Sequence, residues 1–130
     1  MSAADDLQAR AELFADRSIQ FVDGLPNHLI AHRIAPQLLD ASTSVAANYR
    51  AARRGRSHAE FTAKLGIVSE EADECVYWLT RLKNAGIASN NVALEPLLAE
   101  AIELSKIFAA SGRTARMRRR RRRPDDPPPR

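Results

Sequence analysis

From Ser44 to Trp78 the chain reads SVAANYRAARRGRSHAEFTAKLGIVSEEADECVYW, two helix-like segments that meet across a single glycine, Gly55. The first is built of small residues and closes on Asn48, Tyr49, Arg50, Arg53 and Arg54, with Arg56 just beyond the glycine. The second opens on Ser57-x-x-Glu60, a capping box in which two side chains satisfy backbone donors orphaned at a helix start. Behind it Phe61, Leu65, Val68, Ala72, Cys75, Leu79 and Leu82 follow in steps of four and three up to Gly86, a C-cap residue. A stripe of that period lies along one side of a helix and must be covered by other helices. At 1.5 Å per residue the helix is roughly 40 Å long. This junction of two long helices sets the fold class as all-α.

Two further helices, the first and the fourth, share the pattern. Leu7, Ala11, Phe14, Ser18, Phe21 and Leu25 mark the first, which Gly24 and the Leu25-Pro26 pair bring to an end. The second spans about Asn27 to Arg54, with Ile34, Leu38, Ala41, Val45, Asn48 and Ala52 on its seam and Pro36 expected to kink it. The fourth begins near Leu94, tolerates Pro96 in its first turn, and carries Leu97, Leu98, Ala101, Ile102, Leu104 and Phe108 before Gly112. No segment alternates with a period of two between turn signals, so no sheet is expected. Short connections favour antiparallel neighbours, hence an up-down-up-down four-helix bundle over residues 1–112. Ile67, Trp78, Leu97 and Leu98 widen the apolar stripes beyond one seam, which is expected either of a subunit interface or of a wide core face.

The net charge of +4 divides unevenly. Residues 113–130 hold nine arginines and two aspartates, net +7, while residues 1–112 are net −3. The segment has little to bury and ends in prolines, so 113–130 is expected to be a disordered basic tail. Its arginines, Arg116 and Arg118, Arg119, Arg120, Arg121, Arg122 and Arg123 among them, suit a phosphate-binding arm that releases counterions from RNA or DNA. They equally suit a solubilising low-complexity tail. Arg50, Arg53, Arg54 and Arg56 offer three readings: phosphate contacts, partners for carboxylates, or solvated charge at a helix C-terminus. Glu70, Glu71, Asp73 and Glu74 are the acidic complement, with Glu70, Asp73 and Glu74 on one helix face, and ion pairing within or between chains is expected of them. Asn48, an amide on a seam, is expected to fix register by demanding hydrogen-bond partners.

Little points to catalysis. No glutamate is followed three residues later by histidine, as a di-iron bundle requires. His28 and His32 are four apart but lack the glutamate of a zinc-protease motif. Cys75, the single cysteine, lies on the apolar stripe as a small core residue. No cofactor, metal site or enzymatic activity is expected. The N-terminus has no apolar run after a basic segment, and no stretch reaches the roughly 18–20 apolar residues of a membrane helix, so a cytoplasmic protein is expected.

The run QLLDASTSVAANYRAARRGRSHAEFTAKLGIVSEEADECVYWL, with EAIELSKIF in the fourth helix, resembles the four-helix-bundle family encoded in intervening sequences of bacterial large-subunit ribosomal RNA. The Ser44-x-x-x-Asn48 block, the Gly55-Arg56-Ser57 junction and the Glu60-Phe61 pair that follows carry the likeness, which spans roughly residues 10–112. A relative is the accessory variability determinant of diversity-generating retroelements. The resemblance implies a left-handed bundle assembling into a homopentamer with no known catalysis. In the retroelement relative, it implies a basic surface that binds nucleic acid and a reverse transcriptase. The expectation is therefore a non-enzymatic homo-oligomeric adaptor for nucleic acid; the alternative is a scaffold for a protein partner with no nucleic-acid role.

Overall fold

A computed structural model describes residues 2–121 of the chain. Within them lie four α-helices, α1 (Ala3–Asp23), α2 (Leu29–Arg53), α3 (His58–Ala85) and α4 (Leu94–Arg121), and no strand. Each helix packs on its neighbour in sequence and α1 closes the ring against α4, while the backbones of the diagonal pairs do not approach closely. This is the expected up-down-up-down bundle.

Local chemistry sets the helix ends. Ser2 and Asp5 form a reciprocal capping box at α1: Ser2 Oγ accepts from the Asp5 amide at 3.1 Å, and the Ser2 amide donates to Asp5 Oδ2 at 3.2 Å. At α3, Ser57 Oγ accepts from the Glu60 amide at 3.1 Å. The Glu60 carboxylate does not return to Ser57; it accepts from the Arg56 amide at 2.7 Å, clasping the tight turn one residue earlier. Gly86 ends α3 in the left-handed region at φ 69°, where a Cβ would be strained. His28 caps α2 by accepting from the Ile30 amide through Nδ1 at 3.1 Å. Pro36 is exposed within α2, and the helix continues through it.

The core runs the length of the bundle. Phe14, Leu38, Val45, Leu65, Val68, Cys75, Leu79, Leu82, Leu104 and Phe108 are all at most 1% exposed. Burying each such leucine or phenylalanine side chain contributes about 1.5–3 kcal/mol. Leu97 and Leu98 are both buried, so the doubled apolar positions on α4 form a wide core face. Trp78 is half-buried against the core, its indole donating to Glu74 Oε1 at 3.1 Å. Ile67 alone of those four remains exposed, joined by Leu13, Ile19, Tyr77 and Ile102 on other parts of the surface.

Besides the one-sided Ser57 cap, two expectations require correction. On α2 the seam position belongs to Tyr49, not Asn48: Tyr49 is buried with its ring 5.1 Å from that of Phe108. Between Val45 and Ala52 either residue completes a four-three step, and the larger side chain takes the core. Asn48 is half-buried and its amide donates to the Ser44 carbonyl of its own helix at 2.9 Å, so it carries no register between helices among the described residues. The second correction concerns Gly112, which lies buried inside α4 and does not end it. The helix continues to Arg121, so the boundary at residues 112–113 falls within an element and the basic segment is helical over 113–121. Ala115 is buried against the core, arginine is a good helix former, and cations in a last turn complement the helix dipole. Arg122, Arg123 and the rest of the tail lie outside the described residues.

Candidate nucleic-acid interface

The antiparallel order brings the α2–α3 turn and the C-terminal end of α4 to the same end of the bundle. His58, the first residue of α3, is hydrogen-bonded through Nε2 to the Ala115 carbonyl at 2.8 Å, which fixes α4 level with that turn. Arg56 and Arg116, sixty positions apart in sequence, are thereby brought to one pole. Around it lie Arg50, Arg53, Arg54 and Arg56 from α2 and the turn, and Arg113, Arg116 and Arg118 to Arg121 from α4.

These arginines do not share one role. Arg53 is structural: its guanidinium reaches α1, donating to Asp5 Oδ1 at 2.7 Å and Gln8 Oε1 at 2.6 Å. That contact, with the Ser2 donors, lowers the Asp5 carboxyl to about 2. Arg50, Arg54 and Arg56 are exposed and make no side-chain ion pair among the described residues. Arg56 contributes its backbone to the turn and leaves its side chain in solvent. Gly55 permits that turn, since a Cβ would stand 3.1 Å from the Ala52 carbonyl oxygen.

On α4 the arginines face two ways. Arg116, Arg119 and Arg120 line a cleft of about 520 Å³ against Thr62, Ala63 and Gly66 of α3. Arg118 lies at a more apolar hollow bordered by His58, Phe61, Leu65 and Ile107. Side chains tilt toward the N-terminus of their helix, so arginines placed past the last packed turn reach back over the bundle.

The acidic residues lie elsewhere. Glu70 is fourteen positions along α3 from Arg56, roughly 21 Å at helical rise, so the expected pairing within the chain with the turn arginines does not form. Glu70, Asp73 and Glu74 make no ion pair among the described residues, and Glu74 serves Trp78. Burial raises the Glu71 carboxyl, with Glu74, Glu70 and Asp40 adding to the effect. Burial likewise pushes the Cys75 thiol up to about 12, which leaves it inert as a nucleophile at neutral pH. His28 is spent on its cap and His32 on Asn27, whose Oδ1 lies 2.6 Å from Nε2. Among the described residues no group of three or more His, Cys, Asp and Glu side chains is placed to hold a metal ion.

Two ion pairs that sequence reading missed join elements end to end. Arg10 of α1 binds Glu100 of α4 in a fork, Nε to Oε2 at 2.8 Å and Nη2 to Oε1 at 2.6 Å, and Glu100 raises the Arg10 guanidinium further. Lys83 and Glu95 bridge α3 and α4 at 3.0 Å. No spacing rule links residues ninety positions apart; only the closing of the ring does. One missed feature had a sequence signal: Gly66, a costly residue in the middle of a strong helix.

The class defined by these features is a small antiparallel four-helix bundle with an arginine-rich pole. The chain belongs to the 23S rRNA-intervening sequence protein family, whose model matches residues 6–110. A similar solved structure is a protein of unknown function from the S23 ribosomal protein family of Bacteroides thetaiotaomicron. It shares 28% identity with this chain over 81% of the chain and 96% of its own length, with a TM-score of 0.73. No curated protein matches the chain. Among the described residues no helix is long and apolar enough to cross a membrane.

Proposed function

We propose that this protein is a non-enzymatic, cytoplasmic adaptor that binds the phosphate backbone of RNA or DNA through its arginine pole and works as a homo-oligomer, a pentamer. The observation that carries the reading is the gathering of two arginine groups, distant in sequence, at one end of the bundle, where among the described residues Arg53 alone pairs with a carboxylate. Clustered exposed guanidiniums exchange counterions for phosphates, and the binding they give is strongly salt-dependent. The exposed apolar residues Leu13, Ile19, Ile67 and Tyr77 supply surface for contacts between copies. The acids Glu70, Glu71, Asp73 and Glu74 remain available for pairing across such contacts.

Fluorescence anisotropy with RNA and duplex DNA tests the reading in full-length protein. Exchanging Arg54 and Arg56 for Gln, or Arg118 and Arg121 for Gln, is expected to weaken binding in both cases. Each lost phosphate contact should flatten the salt slope by about 0.9 on duplex DNA. An effect from the α4 pair alone would mean that the α2–α3 turn is no part of the interface and that the α4 arginines carry the binding. Absence of binding in the parent protein would leave the scaffold for a protein partner. Light scattering should give about five times the 14.4 kDa chain mass; a monomer mass overturns the assembly.

A further inference from the structure

Arg116, Arg119 and Arg120 stand at spacings of three and four, so their side chains share one face of α4, and like charges at those spacings destabilise a helix. All three nevertheless line one cleft against α3, and none has a carboxylate partner among the described residues. The cleft is open for a reason legible on both walls. On α3, Gly66 leaves vacant space: a Cβ there would meet nothing within 4 Å. On α4, Gly112 lets the Arg116 guanidinium fold back, its Nη1 lying 3.4 Å from where a Cβ would stand. Two neighbouring polar groups are already committed. Thr62 Oγ1 donates to the His58 carbonyl at 2.8 Å, and Glu60 holds the Arg56 amide.

Three cationic side chains around an unfilled volume, with no acidic residue among those that line it, describe the complement of an oxyanion. We propose that the cleft bounded by Thr62, Ala63, Gly66, Arg116, Arg119 and Arg120 is a phosphate subsite, occupied by a backbone phosphate of the bound nucleic acid. This rests on the reading of the arginine pole as a nucleic-acid interface and makes it specific. Part of the basic segment is then a component of the folded body, and one phosphate is held by planar guanidinium forks suited to its oxygens. Occupancy relieves the repulsion among the three arginines and ties the end of α4 to α3.

Gly66 allows the site to be filled from within. Gly66→Glu places a carboxylate in the vacant space, and Gly66→Gln is its uncharged control; both residues form helix better than glycine, so both variants should fold. At low salt the Glu variant should melt above the Gln variant, and the difference should vanish at about 1 M salt, where exposed charges are screened. A short oligothymidylate and inorganic pyrophosphate are the probes. Each should bind the Glu variant about tenfold more weakly than the Gln variant, the loss of one charge-assisted contact. Equal melting and equal binding of the two variants overturn the subsite. Discrimination by pyrophosphate, with no oligothymidylate binding to the parent protein, would keep the cleft as a site for free phosphates while the nucleic-acid reading falls. Failure of both probes to bind the parent protein overturns both.

Discussion

Whether α4 passes through Gly112 can be decided by the sign of one substitution. In the structure Gly112 is a buried interior position of a continuous helix with an ordinary negative φ. Replacing a helix-interior glycine by alanine removes backbone freedom from the unfolded chain and stabilises by about 0.5–1 kcal/mol. Against this stands only the contact of the new Cβ with Arg116 Nη1 at 3.4 Å. That atom is the far end of a long, exposed side chain that can swing aside. Gly112→Ala should therefore stabilise the protein by about 0.5–1 kcal/mol, raising Tm by a few degrees. Gly86→Ala is the opposing control, because Gly86 does sit at φ 69° and alanine there should cost about 1 kcal/mol. Urea unfolding followed by far-ultraviolet circular dichroism measures both, with the m-value expected to stay constant. If Gly112→Ala destabilises as Gly86→Ala does, the helix ends at Gly112 in a left-handed cap, and the cleft loses the wall that Arg116, Arg119 and Arg120 form.

Two other outcomes follow from the packing and the charges. Leu79 is 0% exposed in the C-terminal third of α3, so Leu79→Ala should cost about 2–5 kcal/mol in the same denaturation assay; a loss below about 0.5 kcal/mol would mean that the core is misphased. Asp5 titrates at about 2 when folded against an ordinary value of 3.8, so its pairing with Arg53 stabilises the fold above the unfolded value and is lost as pH falls through the folded one. The stability difference between the parent and Asp5→Asn should hence be constant above about pH 5 and shrink toward pH 2; no change over that window removes the Asp5–Arg53 contact from the account.

Much of the architecture could be read from the chain because it is local. The stripes of α1 and α3, the Ser57 cap, the Gly86 terminus and the place of Pro96 all depend on residues within a few turns of one another. Where local rules offered a choice, they misled. Asn48 and Tyr49 both fit the α2 repeat, and only the presence of Phe108 on the facing helix decides that the aromatic ring goes inward. Gly112 has the look of a stop signal, yet helix continuation is decided by whether the next turn finds something to pack on, and Ala115 does. The acids of α3 look like the natural partners of the Arg50–Arg56 cluster because they are near in sequence, but helical rise carries them half the bundle away.

By itself, then, the sequence determined four amphipathic helices, their punctuation and an all-α bundle, since periodicity and capping act over a handful of residues. The tertiary structure alone decided which side chains meet between helices. Closing the ring set Arg53 on Asp5 and Arg10 on Glu100, put the Gly55 turn level with Ala115, and laid three α4 arginines over the gap at Gly66. Those relations span forty-eight to ninety positions of chain, a range over which side-chain chemistry is silent until packing has fixed the register.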